Sequence, residues 1–249
     1  MERQSVLFRD LGEMDYRAAW NYQENLLQQN IKAKARSRNL QLPDVAANED
    51  DAETTNYLLF VEHPPVYTLG KSGNISNILI DPDECEARGI QFVHTNRGGD
   101  VTFHGRGQVV GYPILDLEKF YKDIGKYLRQ LEEVVILTLA EYDIHGERSP
   151  GETGVWLDTA VKGRERKICA MGVRCSRWVT MHGFALNVNT DLSYFEYIIP
   201  CGIKNKSVTS MKQELGQDVN TEEVKAKLRT NFEKVFQVTV HEDQKPLAR

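Results

Sequence analysis

A chain of 249 residues, 41% hydrophobic and 27% charged, can bury one sizeable core and has the balance of a folded globular protein rather than a disordered one. Its formal net charge of −5 excludes a nucleic-acid footprint over the whole chain, although a local basic patch could still meet an acidic partner. No apolar run reaches the roughly 18 residues of a membrane span and the amino terminus has no apolar h-region, so the expectation is one cytoplasmic domain over 1–249, with no membrane partner.

In chain order, Val6–Gly12 reads as a short strand and turn, and Tyr16, Ala19, Trp20, Gln23, Leu27 and Ile31 recur at helical spacing with only Gln23 interrupting the apolar face. A basic run (Lys32, Lys34, Arg36, Arg38) and an acidic one (Asn48–Glu53) flank Pro43, which predicts a surface insertion at about 32–53 without catalytic work. Tyr57–Glu62 is a buried-strand run halted by His63-Pro64-Pro65, and Val66–Gly73 leads out to a loop. Asp81 as N-cap, Pro82 at the first helical position and Gly89 beyond the end frame a short helix, with Cys85 as packing. Ile90–Asn96 and Val109–Leu115 read as strands on either side of the glycine-rich segment 97–108.

Further on, Ile124, Tyr127, Leu128, Leu131, Val134, Val135, Leu139 and Tyr142 give a long amphipathic helix capped by Asp123. Thr153–Leu157 and Arg166–Val173 form a hairpin around the polar tip 158–165, Phe184–Asn189 adds a strand, and Asn220 with Glu223 opens a final helix carrying Val224, Leu228, Phe232 and Phe236 on one face. Hairpin pairs with helices placed irregularly between them predict an α+β fold around a mixed, largely antiparallel sheet.

The segment Arg97-Gly-Gly-Asp-Val-Thr-Phe-His-Gly-Arg-Gly-Gln108 holds four glycines, two arginines and a histidine, too many unusual backbone positions for an ordinary strand. A phosphate cradle does not fit, because neither the P-loop spacing nor Gly-x-Gly-x-x-Gly is present. A glycine-rich turn with solvated arginines remains open. So does a ligand wall, in which bare backbone lines a narrow pocket while Arg97 and His104 supply polar anchors.

Arg97-Gly98-Gly99, Thr102, Phe103-His104, Gln108 and Tyr112 stand at the spacing of the signature of the octanoyltransferases, and the chain resembles that family from about Tyr57 to Met211. The likeness takes in Glu62–Gly70, Lys167–Arg174, His182–Asn189 and Pro200-Cys201-Gly202. It implies the catalytic fold of biotin and lipoate protein ligases, with helices on a largely antiparallel sheet. It also implies transfer of an octanoyl group from octanoyl-acyl carrier protein, without a cofactor, to lipoyl domains of 2-oxoacid dehydrogenase complexes and the glycine cleavage H protein. By the same mapping Cys201 carries the acyl chain and Lys167 is its partner. Gly98, Gly99, Asp100, Val101 and Thr102 line the acyl pocket with the other signature residues, as do Ala170-Met171-Gly172 and Gly183-Phe184-Ala185.

Residue chemistry bears on the same positions. Cys201 lies between Pro200 and Gly202, outside any apolar periodicity, which suits an accessible thiol; a turn cysteine is the alternative. A free thiol with pKa about 8.5 is mostly protonated at pH 7, so the nucleophile needs a base or a cation, and Lys167 could meet it only through tertiary structure (201 − 167 = 34 residues). A lysine near its ordinary pKa of about 10.4 is a poor proton acceptor, and Lys167 reads equally as a solvated strand-end charge. Cys169 competes as nucleophile because positions 167 and 169 share a face at period two, although Ile168 and Ala170 suggest packing. His104 and His182 are further candidate bases, each beside a glycine and better suited to orienting the loop. The four cysteines (85, 169, 175, 201) have no Cys-x-x-Cys spacing, so free thiols and no metal site are expected. An ATP-dependent lipoate or biotin ligase on the same fold, and a non-catalytic acyl-carrier-binding module, stay open as alternatives.

Overall fold

The central strands are buried along nearly their whole length, and their alternate residues sort into two core layers. The computed structural model describes residues 3–38, 53–199 and 207–243. In chain order its elements are β1 (Ser5–Glu13), α1 (Tyr16–Ser37), β2 (Asn56–Glu62), β3 (Val66–Leu69), α2 (Pro82–Ala87), β4 (Gln91–His94), β5 (Val101–His104) and β6 (Gln108–Ile114). There follow α3 (Ile124–Ala140), β7 (Val155–Leu157), β8 (Arg166–Ser176), β9 (Val179–Asn187), β10 (Ser207–Val208), α4 (Met211–Leu215), α5 (Thr221–Phe236) and β11 (Thr239–Glu242).

The main sheet runs β10-β8-β9-β6-β2-β1-β11, with β7 also paired to β8. The pairings β7–β8, β8–β9, β9–β6 and β6–β2 are antiparallel, whereas β2–β1, β1–β11 and β8–β10 are parallel. On β2, Leu58 and Phe60 join Tyr127, Leu131, Val135 and Phe232 of α3 and α5, while Leu59 and Val61 join Leu26, Leu27 and Ile31 of α1. Side chains of successive strand residues point to opposite faces, so each face has its own helical cover. Each large side chain removed from water in this way contributes about 1.5–3 kcal/mol before entropy is counted. A second sheet, β4-β3-β5, packs Tyr67, Val101 and Phe103 against Phe195 and Ile198.

The helix ends follow their caps. Asp81, Asp123 and Asn220 accept hydrogen bonds from the first-turn N–H groups of α2, α3 and α5. Gln23, the polar break in the apolar face of α1, is buried and accepts the His182 N–H at 2.8 Å, so it serves a strand rather than solvent.

Several elements depart from the sequence expectation. β3 and β5 are strands where loop was expected, because each four-residue run finds a partner in the other. β9 starts at Val179, five residues before the expected strand (184 − 179 = 5), and β11 was not anticipated. The first part of the expected insertion is the end of α1, where Lys34 is buried and its ammonium meets Asp116 at 2.5 Å, Glu118 at 2.9 Å and the Arg177 carbonyl at 2.9 Å. Residues 39–52, the rest of that stretch, lie outside the described residues.

Candidate active site

The signature segment lies across the edge of the main sheet because glycines let two backbones touch. Gly98 N–H donates to the Val173 carbonyl of β8 at 2.9 Å, and a Cβ on Gly172 would fall 2.8 Å from the Gly98 oxygen. Gly183 lies closer still to β6, with its missing Cβ 2.1 Å from the Gly111 oxygen. Between these walls runs a slot of about 620 Å³, within the range of small-molecule sites. The register Ala170↔Ala185, Met171↔Phe184 and Gly172↔Gly183 forms its floor, where the alanines and glycines leave room for a chain.

Arg97 lines the slot but is committed as a strut. Its Nη2 donates to the Thr68 carbonyl (2.7 Å), the Thr68 hydroxyl (2.9 Å) and the Asp100 carbonyl (2.8 Å). Asp100 accepts the Val101 and Asn74 N–H groups at 2.7 and 3.1 Å, which binds the 70–77 loop to the signature. Gly99, Val101, Thr102 and His104 also border the slot. Phe103 does not: its ring lies in the second core, stacked on Tyr194 and edge-on to Phe195.

Three histidines stand together here with Tyr16 and Tyr112. Gln108 donates its amide N–H to Asn187 Oδ1 at 2.9 Å, which leaves its oxygen to accept from His104 Nδ1 at 2.8 Å. His63 donates from Nδ1 to the Met14 carbonyl at 2.7 Å and accepts the Tyr112 hydroxyl at Nε2, 2.8 Å away. His182 Nε2 lies 2.8 Å from Asn96 Oδ1. Burial dominates each titration: it lowers His63 to about 4 and His182 to about 3, and holds His104 well below the ordinary imidazole range. All three are neutral at pH 7; His63 spends both ring nitrogens on the fold, whereas His182 Nδ1 is buried without a hydrogen-bond partner among the described residues.

Lys167 is on the slot as well, its Nζ 4.5 Å from the centre of the Trp156 ring. The expected sharing of one face by Lys167 and Cys169 is overturned by a register shift. β7 pairs Val155 with Cys169 but Trp156 with Lys167, so Ile168 is an extra residue on β8. Lys167 therefore borders the slot with Ala170 and Gly172, while Cys169 packs into the main core, fully buried, where burial pushes its thiol up in pKa. Cys201 lies outside the described residues. Beyond it, Ser207 and Val208 pair with Arg166 and Lys167, and Thr209 N–H donates to the Lys167 carbonyl at 2.9 Å.

Sequence reading missed Tyr16, Glu152, Thr153 and Val208 as slot residues and Trp156 as the neighbour of Lys167. The sequence marks Tyr16 as helix packing, and Thr153 and Trp156 only as members of a predicted strand. Among the described residues no group of three His, Cys, Asp or Glu could hold a metal ion, and no helix is long and apolar enough to cross a membrane.

Residues 15–233 match the family described as the lipoyl protein ligase A/B catalytic domain. Two relatives named octanoyltransferase are similar over nearly the whole chain. That of Flavobacterium psychrophilum is 57% identical across 95% of this chain and 98% of its own length. That of Christiangramia forsetii is 58% identical across 93% and 96%. Among solved structures, a lipoate-protein ligase A bound with ATP superimposes with TM-score 0.65 at 18% identity, covering 99% of this chain and 90% of its own. An archaeal bipartite lipoate protein ligase from Thermoplasma acidophilum, described with its E2 lipoyl domain, gives 0.64 at 19%, covering 99% and 88%. At such identities the two structures establish the α+β fold alone.

Proposed function

The chain belongs to the lipoyl protein ligase A/B catalytic family as one of its octanoyltransferases, and from that premise we propose that it moves an octanoyl group from octanoyl-acyl carrier protein, through a thioester on Cys201, to the lysine of a lipoyl domain. In the first step the Cys201 sulfur attacks the donor carbonyl, the donor C–S bond breaks, and the carrier thiol leaves with a proton. In the second, the acceptor amine attacks the new thioester and Cys201 departs as the thiol. A thioester replaces a thioester in the first step, so no ATP is consumed. Lys167 takes the thiol proton in the first step and the acceptor proton in the second.

The position of Lys167 carries this reading. It is the titratable cation of β8 that borders the narrow, small-residue slot, and β10, seven residues past Cys201 at Val208 (208 − 201 = 7), pairs with it. Cys169 is a poor nucleophile, because a sealed thiol with a raised pKa neither ionises nor meets a substrate. The slot would take the eight-carbon chain along Ala170, Gly172, Gly183 and Ala185. On this reading the acceptors are the lipoyl domains of 2-oxoacid dehydrogenase complexes and the glycine cleavage H protein, in keeping with the relatives named octanoyltransferase.

The test is transfer from octanoyl-acyl carrier protein to a purified lipoyl domain with and without ATP, read by the mass of the acceptor. ATP-independent octanoylation is expected. Modification by free octanoate only when ATP is present would establish a ligase on this fold instead.

A further inference from the structure

Behind Lys167 lies a buried charge that the two transfer steps leave unused. Glu132 of α3 is fully buried, and its Oε2 accepts from Arg129 Nη1 at 2.7 Å and Arg148 Nε at 3.0 Å. Its Oε1 turns the other way and accepts the Gly154 N–H at 3.1 Å. Removing a carboxylate from water is costly unless its oxygens are satisfied, so this one fixes whatever it holds. What it holds is the start of β7.

Gly154 sits at φ +110°, a left-handed conformation that side chains resist, and a Cβ there would lie 2.5 Å from the Cys169 oxygen and 3.6 Å from Lys167 Cε. The approach to β7 thus presses against the Cys169 backbone, with the Lys167 side chain alongside. Two residues on, Trp156 is nearly sealed from solvent and presents its ring to the Lys167 amine. The same register shift that brings Lys167 onto the slot places it opposite this indole.

We propose that Glu132 and Trp156 are positioning residues for acyl transfer: the carboxylate pins the Gly154 end of β7, and the pinned strand holds the indole face against the Lys167 amine, fixing where that amine stands in the slot. The inference rests on the reading of Lys167 as the base. The indole face attracts a cation by its quadrupole, so losing that face is read in the pH dependence with which the amine is labelled.

The experiment is competitive labelling of Lys167 with acetic anhydride over a pH series on the full chain, read by peptide mass spectrometry, beside single-turnover acylation from octanoyl-acyl carrier protein. Trp156→Leu is expected to lower the pH of half-labelling by about 0.5–1 unit. Trp156→Phe, which keeps an aromatic face, recovers most of that shift, a rescue that simple loss of packing would not produce. Glu132→Gln shifts it in the same direction by less, and each variant lowers the acylation rate without raising the KM for donor. Should Trp156→Leu fail to fold, Trp156→Met carries the same expectation. An unchanged midpoint in a folded Trp156 variant overturns the inference, whatever Lys167→Arg does. A shifted midpoint together with an active Lys167→Arg overturns the base reading and leaves the positioning intact.

Discussion

His63, His104 and His182 on one side of the slot, and Lys167 on another, treat charge in opposite ways. The imidazoles are sealed, engaged by Met14, Tyr112, Gln108 and Asn96, and kept neutral by burial. Lys167 instead stands over an aromatic face, its Nζ 4.5 Å from the centre of the Trp156 ring. Histidine is the residue whose ordinary pKa suits proton transfer at pH 7, yet here burial has moved it out of range. The difference teaches that the wall with more titratable groups supplies shape, and in the function proposed above proton traffic falls to a lysine at the edge of a bulge.

The sharpest way to break this comparison is to swap the lysine. Lys167→Arg keeps a cation but removes an amine that can cycle its proton, and loss of a general base typically costs roughly 10²–10⁴-fold. Both the acylation of the enzyme and the deacylation of preformed acyl-enzyme should fall by that order in single-turnover measurements. His182→Gln, which can still donate to Asn96, should lose far less. A histidine variant as slow as the lysine variant would reverse the roles assigned to the two walls.

A smaller effect is expected where the signature touches the floor. A methyl group at Gly172 would meet the Gly98 oxygen at 2.8 Å and Arg97 Cδ at 3.2 Å, so Gly172→Ala must push the signature loop outward. A displacement of this kind lowers acylation by roughly tenfold to a hundredfold. The overpacking itself costs about 1–3 kcal/mol of stability. Acylation at the parent rate by the folded variant would mean that loop placement does not matter to the slot.

Smallest at neutral pH is the trace that the sealed histidines leave on stability. The folded values of His63 (about 4) and His182 (about 3) lie below the unfolded 6.5, so under pH 6.5 the unfolded chain binds more protons than the native one. Stability is therefore full above pH 6.5 and declines as the pH falls toward those folded values. The slope approaches about 1.4 kcal/mol per pH unit for each such histidine. Urea titrations between pH 7 and 5, above most of the carboxylate range, should show the decline, and His182→Gln should flatten it. A flat wild-type profile would mean that the imidazoles are not sealed.

Much of the frame was legible in the sequence because local chemistry wrote it. Asp81, Asp123 and Asn220 marked helix starts by the same side-chain acceptance seen in the fold, and the unbroken apolar run Leu58 to Val61 marked a buried strand, which the fold covers on both faces. What stayed hidden depends on pairing across distance. β5 is flanked by glycines that mask its four residues, and β11 has its partner β1 at the other end of the chain. The extra residue at Ile168 left no mark at all, yet it decides that Lys167 and Cys169 part company. Lys34 looked like part of a solvated basic run because the carboxylates that bury it, Asp116 and Glu118, lie some eighty residues away (116 − 34 = 82).

The central claim is that the acyl group rests on Cys201, with Cys169 sealed away. Intact and peptide mass after brief incubation with octanoyl-acyl carrier protein, without ATP or acceptor, tests it most directly. The account predicts one octanoyl group on Cys201, lost in Cys201→Ser and retained in Cys169→Ala. A covalent octanoyl group that persists in Cys201→Ala and disappears in Cys169→Ala would contradict it.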